Sequence, residues 1–279
     1  MKASRAEGAT TDDAYAAELA LAIDLAGRAG DLLMDRYERV ERINYKSARD
    51  VVTEVDHLSE AMIRGGIRRA FPGDALLAEE TGGHAAHDGE AASSGVGRAW
   101  VVDPLDGTIN YANGIPVFCV SIALVVYGRP VVGVVRDPTR GESFAATEVG
   151  RATLNGRPIR ASDKERLSDF VISMALAGRG ATTRARGIRR AIRVSRSMGS
   201  AALALAYVAN GRFDAFVQQG GLSTWDIAAA GLIAERAGAT ITDLTGGPWF
   251  QISAPTRTIG VLAAPALHHA DLLARIAGG

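Results

Sequence analysis

The sequence predicts a layered α/β protein, and three features carry that expectation. A helical pair opens the chain, a run of apolar strands follows, and strands and helices alternate through the second half. Its 279 residues, 47% of them hydrophobic with only nine prolines, can bury two ordinary cores or one large one.

Taken in order, Thr11 with Asp12 and Asp13 offers a capped start to a long amphipathic helix. Leu19, Ile23, Ala26, Leu33 and Tyr37 recur along it at helical spacing. A second helix is expected from about Asp56 to Ala70, with Leu58, Met62, Ile63 and Ile67 inward, and Pro72-Gly73 ends it. Strand patterns then cover Ala75 to Ala78, Ala99 to Val102, Val117 to Tyr127, Pro130 to Arg136 and Ser143 to Glu148, two of them joined by a Gly128-Arg129 turn. Turn-rich Asn155-Gly156-Arg157-Pro158 marks the expected boundary between an N-terminal α+β part, 1–155, and a C-terminal α/β part, 156–279. Beyond it come strand-like Phe170 to Ala175, an Arg-rich helix, and a helix from about Ser200 to Ala209. Strand-like Phe213 to Gln218, a helix after Trp225, strand-like Thr258 to Ala263 and a final helix from Pro265 complete the pattern.

The 31 basic and 31 acidic side chains cancel, so no overall field draws the chain to nucleic acid or an anionic membrane, and nucleic acid is not the expected partner. A single cysteine, Cys119, rules out an internal disulfide and a cysteine metal site. Residues 1–13 are charged and polar where a signal peptide needs an apolar core, and no apolar run is long enough to span a bilayer. A cytoplasmic protein without membrane attachment is expected.

Chemistry concentrates in acidic residues at the ends of apolar elements. In Trp100-Val101-Val102-Asp103-Pro104-Leu105-Asp106-Gly107-Thr108 a buried strand runs into two aspartates three residues apart. The proline fixes the backbone between them, the Leu105 carbonyl adds a further oxygen, and Gly107 permits a sharp turn. Mg²⁺ prefers such hard oxygens, although the same residues serve equally as a turn after a strand. Glu79-Glu80 follows apolar Ala75-Leu76-Leu77-Ala78, and alone reads as a solvated loop pair. Asp226, in the first turn of an apolar helix with Ser223 or Thr224 as cap, alone reads as an acidic residue meeting the helix dipole.

Asp103 to Pro116 resembles the first signature of the inositol monophosphatase family, Asp-Pro-Leu-Asp-Gly-Thr-x-Asn-(aromatic)-x₄-Pro. Trp225 to Ile233, followed by Glu235-Arg236-Ala237-Gly238, resembles the second. The likeness extends to Lys46, Val52-Thr53, Asp56, Glu79-Glu80, Arg196 to Ser200 and Asp243 to Pro248, and covers the chain from about Leu19. It implies a five-layer αβαβα sandwich of the inositol monophosphatase and fructose-1,6-bisphosphatase type, a homodimer, and a Mg²⁺-dependent, lithium-sensitive class of phosphatase. The family pattern makes Glu79, Asp103 and the Leu105 carbonyl ligands of one Mg²⁺, and Asp103, Asp106 and Asp226 ligands of a second. A weaker third ion also uses Glu79. Thr108 and Asp56 match the pair that orients and deprotonates the attacking water, which a metal acidifies for in-line displacement at phosphorus. The N–H groups of Gly107 and Thr108 match phosphate donors, and Lys46 falls where a lysine lies near phosphate. Gly199, Ser200 and Ala201 match the substrate loop, which Arg196 is expected to support.

The implied substrate is a small phosphorylated polyol or sugar, inositol monophosphate first. Ile109-Asn110 stands where nucleotide-cleaving and histidinol-phosphate-cleaving relatives carry a basic residue, which lowers both readings. Fructose 1,6-bisphosphate stays open. Gln219, seven residues before Asp226, replaces a glutamate that accepts substrate hydroxyls in inositol-cleaving enzymes, so hydroxyl recognition is expected to differ. The rival expectation is a binding protein of the same fold, RNA- or transcription-associated, using Arg184, Arg186, Arg189, Arg190, Arg193 and Arg196; a solvated helix face is the plainer account of that run. Cys119 is read as core, and His84, His87, His268 and His269 are given no chemistry.

Overall fold

The structure is a computed structural model that describes residues 14–37, 43–47, 50–84, 97–178, 180–254 and 257–277, with the backbone alone for 43–47, 50–53 and 83–84. The expected cap at Thr11 and His87 lie outside the described residues, as does the Lys46 side chain. Helix α1 spans Ala16–Arg36, and a small antiparallel pair, β1 (Ile43–Ser47) and β2 (Asp50–Thr53), leads into α2 (Glu54–Ala70). Next come β3 (Ala75–Ala78), β4 (Gly82–His84), β5 (Arg98–Asp106), the short helix α3 (Thr108–Ala112), β6 (Cys119–Val126), β7 (Arg129–Asp137) and β8 (Glu142–Thr147). Strands β9 (Thr153–Leu154) and β10 (Arg157–Pro158) close this half.

The second half runs β11 (Val171–Ala175), α4 (Ala181–Ala191), β12 (Val194–Arg196), α5 (Ala201–Ala209), β13 (Ala215–Leu222) and α6 (Thr224–Arg236). It ends with β14 (Ala239–Thr242), β15 (Ile259–Pro265) and α7 (Ala266–Ala277). An eight-stranded sheet, ordered β10-β9-β8-β7-β6-β5-β3-β4, is antiparallel except for the β3–β5 pair. A five-stranded sheet is ordered β12-β11-β13-β15-β14 and mixes both senses.

Three apolar clusters stack these elements into the expected five layers. Leu25, Leu33, Ile63 and Ile67 of α1 and α2 meet Trp100, Ile122 and Val134 on one face of the large sheet. On its other face, α5 and α6 form a middle layer that also packs against Phe216 and Val261 of the small sheet. Outside that sheet, Ile188 of α4 and Leu272 and Ile276 of α7 cover Ile172 and Leu262. The middle layer is thin because its helices carry small residues: a Cβ added at Gly133 in β7 would come within 2.7 Å of the Ala229 carbonyl oxygen of α6.

Local differences from the sequence reading have physical causes. The β6–β7 loop is Tyr127-Gly128, one residue earlier than expected, with both residues at positive φ (48° and 78°), as a two-residue hairpin loop favours. Asn155-Gly156 is the turn between β9 and β10, so the large sheet continues to Pro158. Ile23 and Leu58, both expected inward, are 41% and 45% exposed; Ala22, Leu25 and Ala29 face the core on α1, and Asp56, Ser59 and Glu60 do so on α2.

Candidate active site

Residues three apart on a strand point to opposite faces, yet Asp103 and Asp106 face one cavity. The pairing of β5 with β6 shows how: Asp103 opposes Ser121 and Asp106 opposes Cys119, three steps against two. Pro104-Leu105 therefore contains a bulge that turns the second aspartate back toward the first. Gly107 follows with φ of 96°, where a Cβ would sit 2.9 Å from the Val117 carbonyl oxygen, so only glycine fits. Thr108 then starts α3.

Asp226 arrives on α6, the helix that follows β13 of the other sheet. Ser223 caps α6 and donates its N–H to Asp226 Oδ2 at 2.6 Å, so the helix start fixes the carboxylate. One carboxylate oxygen from each of Asp103, Asp106 and Asp226 lies within 4.8 Å of the others. Glu79, one residue beyond β3, and Leu105 line the same cavity of about 500 Å³. Burial, then the charges of Glu79, Asp106 and Asp226, hold the Asp103 carboxyl well above its usual range. Burial, then Asp106, pushes Asp226 up to about 7. Asp106 is raised by burial and relieved in part by donors: Ser200 Oγ at 2.6 Å and the Ala202 N–H at 2.7 Å both reach its Oδ2. Cys119, buried beside it with Sγ 3.8 Å from Oδ2, carries a thiol pushed up by burial.

Thr108 Oγ1 lies 3.2 Å from Oδ1 of fully buried Asp56 and 2.9 Å from the Leu105 carbonyl oxygen. Gly107, Thr108, Gly199, Ser200 and Ala201 line the cavity as well. Asn110 ties the first signature region to the substrate-loop segment, donating from Nδ2 to the carbonyls of Val117 (2.7 Å) and Met198 (2.8 Å).

Other expected positions lie elsewhere. Gln219 is not among the lining residues; its Oε1 accepts from Arg184 Nη2 at 2.6 Å, while its neighbour Gln218 lines the cavity. Arg196 is exposed and donates to the adjacent Ser195 carbonyl, not to the substrate loop it was expected to support. His268 and His269 are buried in α7, with their Nε2 atoms near the Lys164 carbonyl and the Thr242 hydroxyl, which are structural contacts.

Nothing in the sequence pattern marks Arg257, the one cation among the described residues lining the cavity. It sits at φ of 59°, a strained conformation for a residue with a Cβ, pinned by its N–H to Ser223 Oγ and by its carbonyl from the Gly221 N–H. Gln218 was hidden for a related reason. Between Gln218 and Leu222, β13 takes four steps against two on β15, with Gly220 and Gly221 at positive φ; the Gly-Gly pair signals an excursion but not which neighbouring side chain it turns into the cavity.

A sequence model of the inositol monophosphatase family matches residues 15–278. Nus factor SuhB of Pseudomonas aeruginosa is 39% identical over 249 residues, covering 83% of this chain and 87% of its own length. Inositol-1-monophosphatase of Mesorhizobium japonicum is 36% identical, covering 84% and 88%. Among solved structures, extragenic suppressor protein SuhB of Bartonella henselae superposes with a TM-score of 0.85 at 32% identity, over 95% of this chain and all of that one. An inositol monophosphatase of Thermotoga maritima gives 0.82 at 32% identity, over 94% and 97%.

Proposed function

The chain belongs to the inositol monophosphatase family, and on that premise we propose that it is a Mg²⁺-dependent phosphomonoesterase acting on a small polyol or sugar phosphate. The observation that carries this reading is the convergence of Asp103, Asp106 and Asp226 at the floor of the cavity. Carboxylates so close, two of them buried and Asp226 half-buried, repel one another and hold protons, an arrangement that a divalent cation relieves. Their hard oxygens suit Mg²⁺. Glu79, Asp103 and the Leu105 carbonyl would hold one ion and Asp103, Asp106 and Asp226 a second, with a weaker third on Glu79. Bound there, Mg²⁺ supplies acidification of water and neutralisation of charge on the leaving oxygen.

The chain's own groups do the rest. The Thr108 hydroxyl gives its proton to Asp56 and accepts one from the attacking water, which orients that water's lone pair toward phosphorus. Asp56, buried and facing Thr108, is the proton acceptor of the pair. The N–H groups of Gly107 and Thr108 bind phosphoryl oxygens. Gly199, Ser200, Ala201 and Gln218 form the wall for the alcohol portion, where inositol 1-phosphate is the first substrate to try. A homodimer in the cytoplasm belongs to the same proposal; among the described residues no helix is long and apolar enough to cross a membrane.

The test is phosphate release from a panel of inositol phosphates, fructose 1,6-bisphosphate, histidinol phosphate and other sugar phosphates, with and without Mg²⁺. Hydrolysis should require the metal, and Asp106→Asn or Asp226→Asn should lower kcat by at least about 10²-fold. Near wild-type turnover in either folded variant refutes the ligand assignment. A second reading draws on the Nus factor name of several relatives and the exposed Arg186, Arg189 and Arg190 of α4. Salt-sensitive RNA binding without turnover of any ester would put it first.

A further inference from the structure

The inward face of α2 carries a polar strip beside its apolar residues Val55, Ile63 and Ile67. Asp56, Ser59 and Glu60, spaced i, i+3 and i+4, share one side of the helix and are each at most 1% exposed. Each reaches a different strand-end segment of the site. Asp56 meets Thr108, and Ser59 Oγ donates to the Pro104 carbonyl at 3.0 Å, inside the bulge between Asp103 and Asp106. Glu60 takes the third segment: Oε2 accepts the Glu80 N–H at 2.8 Å and Oε1 accepts the Thr81 hydroxyl.

A carboxylate is costly to bury unless its oxygens are satisfied. Two of the donors that satisfy Glu60 come from the two residues directly after Glu79. Its remaining neighbour, Arg64 Nη1 at 3.5 Å, lies one turn along the same helix. An ion pair that served only the helix would not need the turn.

We propose that Glu60 is a positioning residue for the cation site: it fixes the turn 79–81 so that Glu79 is held at the cavity wall opposite Asp103, while Ser59 does the same for the bulge. This rests on the reading of Glu79 as a metal ligand. Residues that orient ligands in this way change metal affinity by about 10- to 100-fold when replaced.

Glutamine at position 60 keeps the length and removes the charge and one acceptor. Binding of Mn²⁺, a spectroscopic probe for the Mg²⁺ site, and half-saturation of phosphate release by Mg²⁺ should both weaken by about tenfold in Glu60→Gln. Excess Mg²⁺ should recover part of the lost rate. Thr81→Val, which deletes one bond and leaves every charge in place, should weaken binding by about threefold. Arg64→Met, which breaks the ion pair and leaves the turn untouched, should bind as wild type does. Unchanged Mn²⁺ affinity in both Glu60→Gln and Thr81→Val, or an equal loss in Arg64→Met, overturns the proposal and leaves Glu60 a helix-stabilising residue. A wild-type protein that binds no divalent cation refutes the metal reading itself, and this inference with it.

Discussion

Thr108→Val separates a working hydroxyl from a decorative one. Valine matches the shape of threonine and deletes the oxygen that lies 3.2 Å from Asp56 and 2.9 Å from the Leu105 carbonyl. Were that hydroxyl an ordinary buried bond, its loss would cost about 1 kcal/mol, or roughly fivefold in any equilibrium it influences. Positioning of a proton-transfer pair is worth far more, about 10²–10⁴-fold, or about 2.7–5.4 kcal/mol at about 1.36 kcal/mol per decade. The two accounts are therefore separated by at least an order of magnitude. Because Thr108 has one proton and two acceptors in reach, a serine at 108 keeps the chemistry and should restore most of the rate. The assay is kcat at saturating substrate and Mg²⁺, with a thermal melt and Mn²⁺ titration as controls for folding and metal loading. A Thr108→Val kcat within tenfold of wild type in a folded, loaded protein would refute the assignment of water orientation to this hydroxyl.

Asp226, with its carboxyl at about 7 in the metal-free protein, is mostly protonated at pH 6 and mostly ionised at pH 8. A cation must displace that proton, so the Mg²⁺ concentration for half-saturation should rise about tenfold from pH 8 to pH 6, and a flat profile would sink the linkage. Gln218 lines the cavity, whereas Gln219 has its oxygen taken by Arg184. Gln218→Ala should thus change the kcat/KM ratio between inositol 1-phosphate and fructose 1,6-bisphosphate by about threefold or more, and Gln219→Glu should change it by less. The reverse ranking would put selectivity back on residue 219.

The apolar strands Ala75–Ala78 and Cys119–Val126 and the helices at Ala201 and Thr224 were legible because buried elements announce themselves by composition. The acidic residues at their ends were legible for the same reason, since a charge beside a buried run stands out. Short strands such as β4, β9, β10, β12 and β14 were not, because two to four residues carry no periodicity and take their form from a neighbour. The bulge at Pro104-Leu105 was likewise invisible, though it decides whether Asp103 and Asp106 can share a ligand. Helix α2 misled most instructively. Hydrophobic spacing placed Leu58 inside, and the structure buries Ser59 and Glu60 instead, because hydrogen bonds to the turn and the bulge outweigh the greasier choice.

The close contact between Gly133 and Ala229 reaches beyond packing. Asp103 and Asp106 ride on one sheet and Asp226 on the helix that follows a strand of the other, so neither half of the chain owns a complete set of ligands. The gauge between them is set where α6 presses on the large sheet, at Gly133 and Ala229, two residues that bear no charge and line no part of the cavity. A cation held by the three aspartates would rivet the large sheet to α6, and a single methyl inserted at position 133 would prise the two apart from behind.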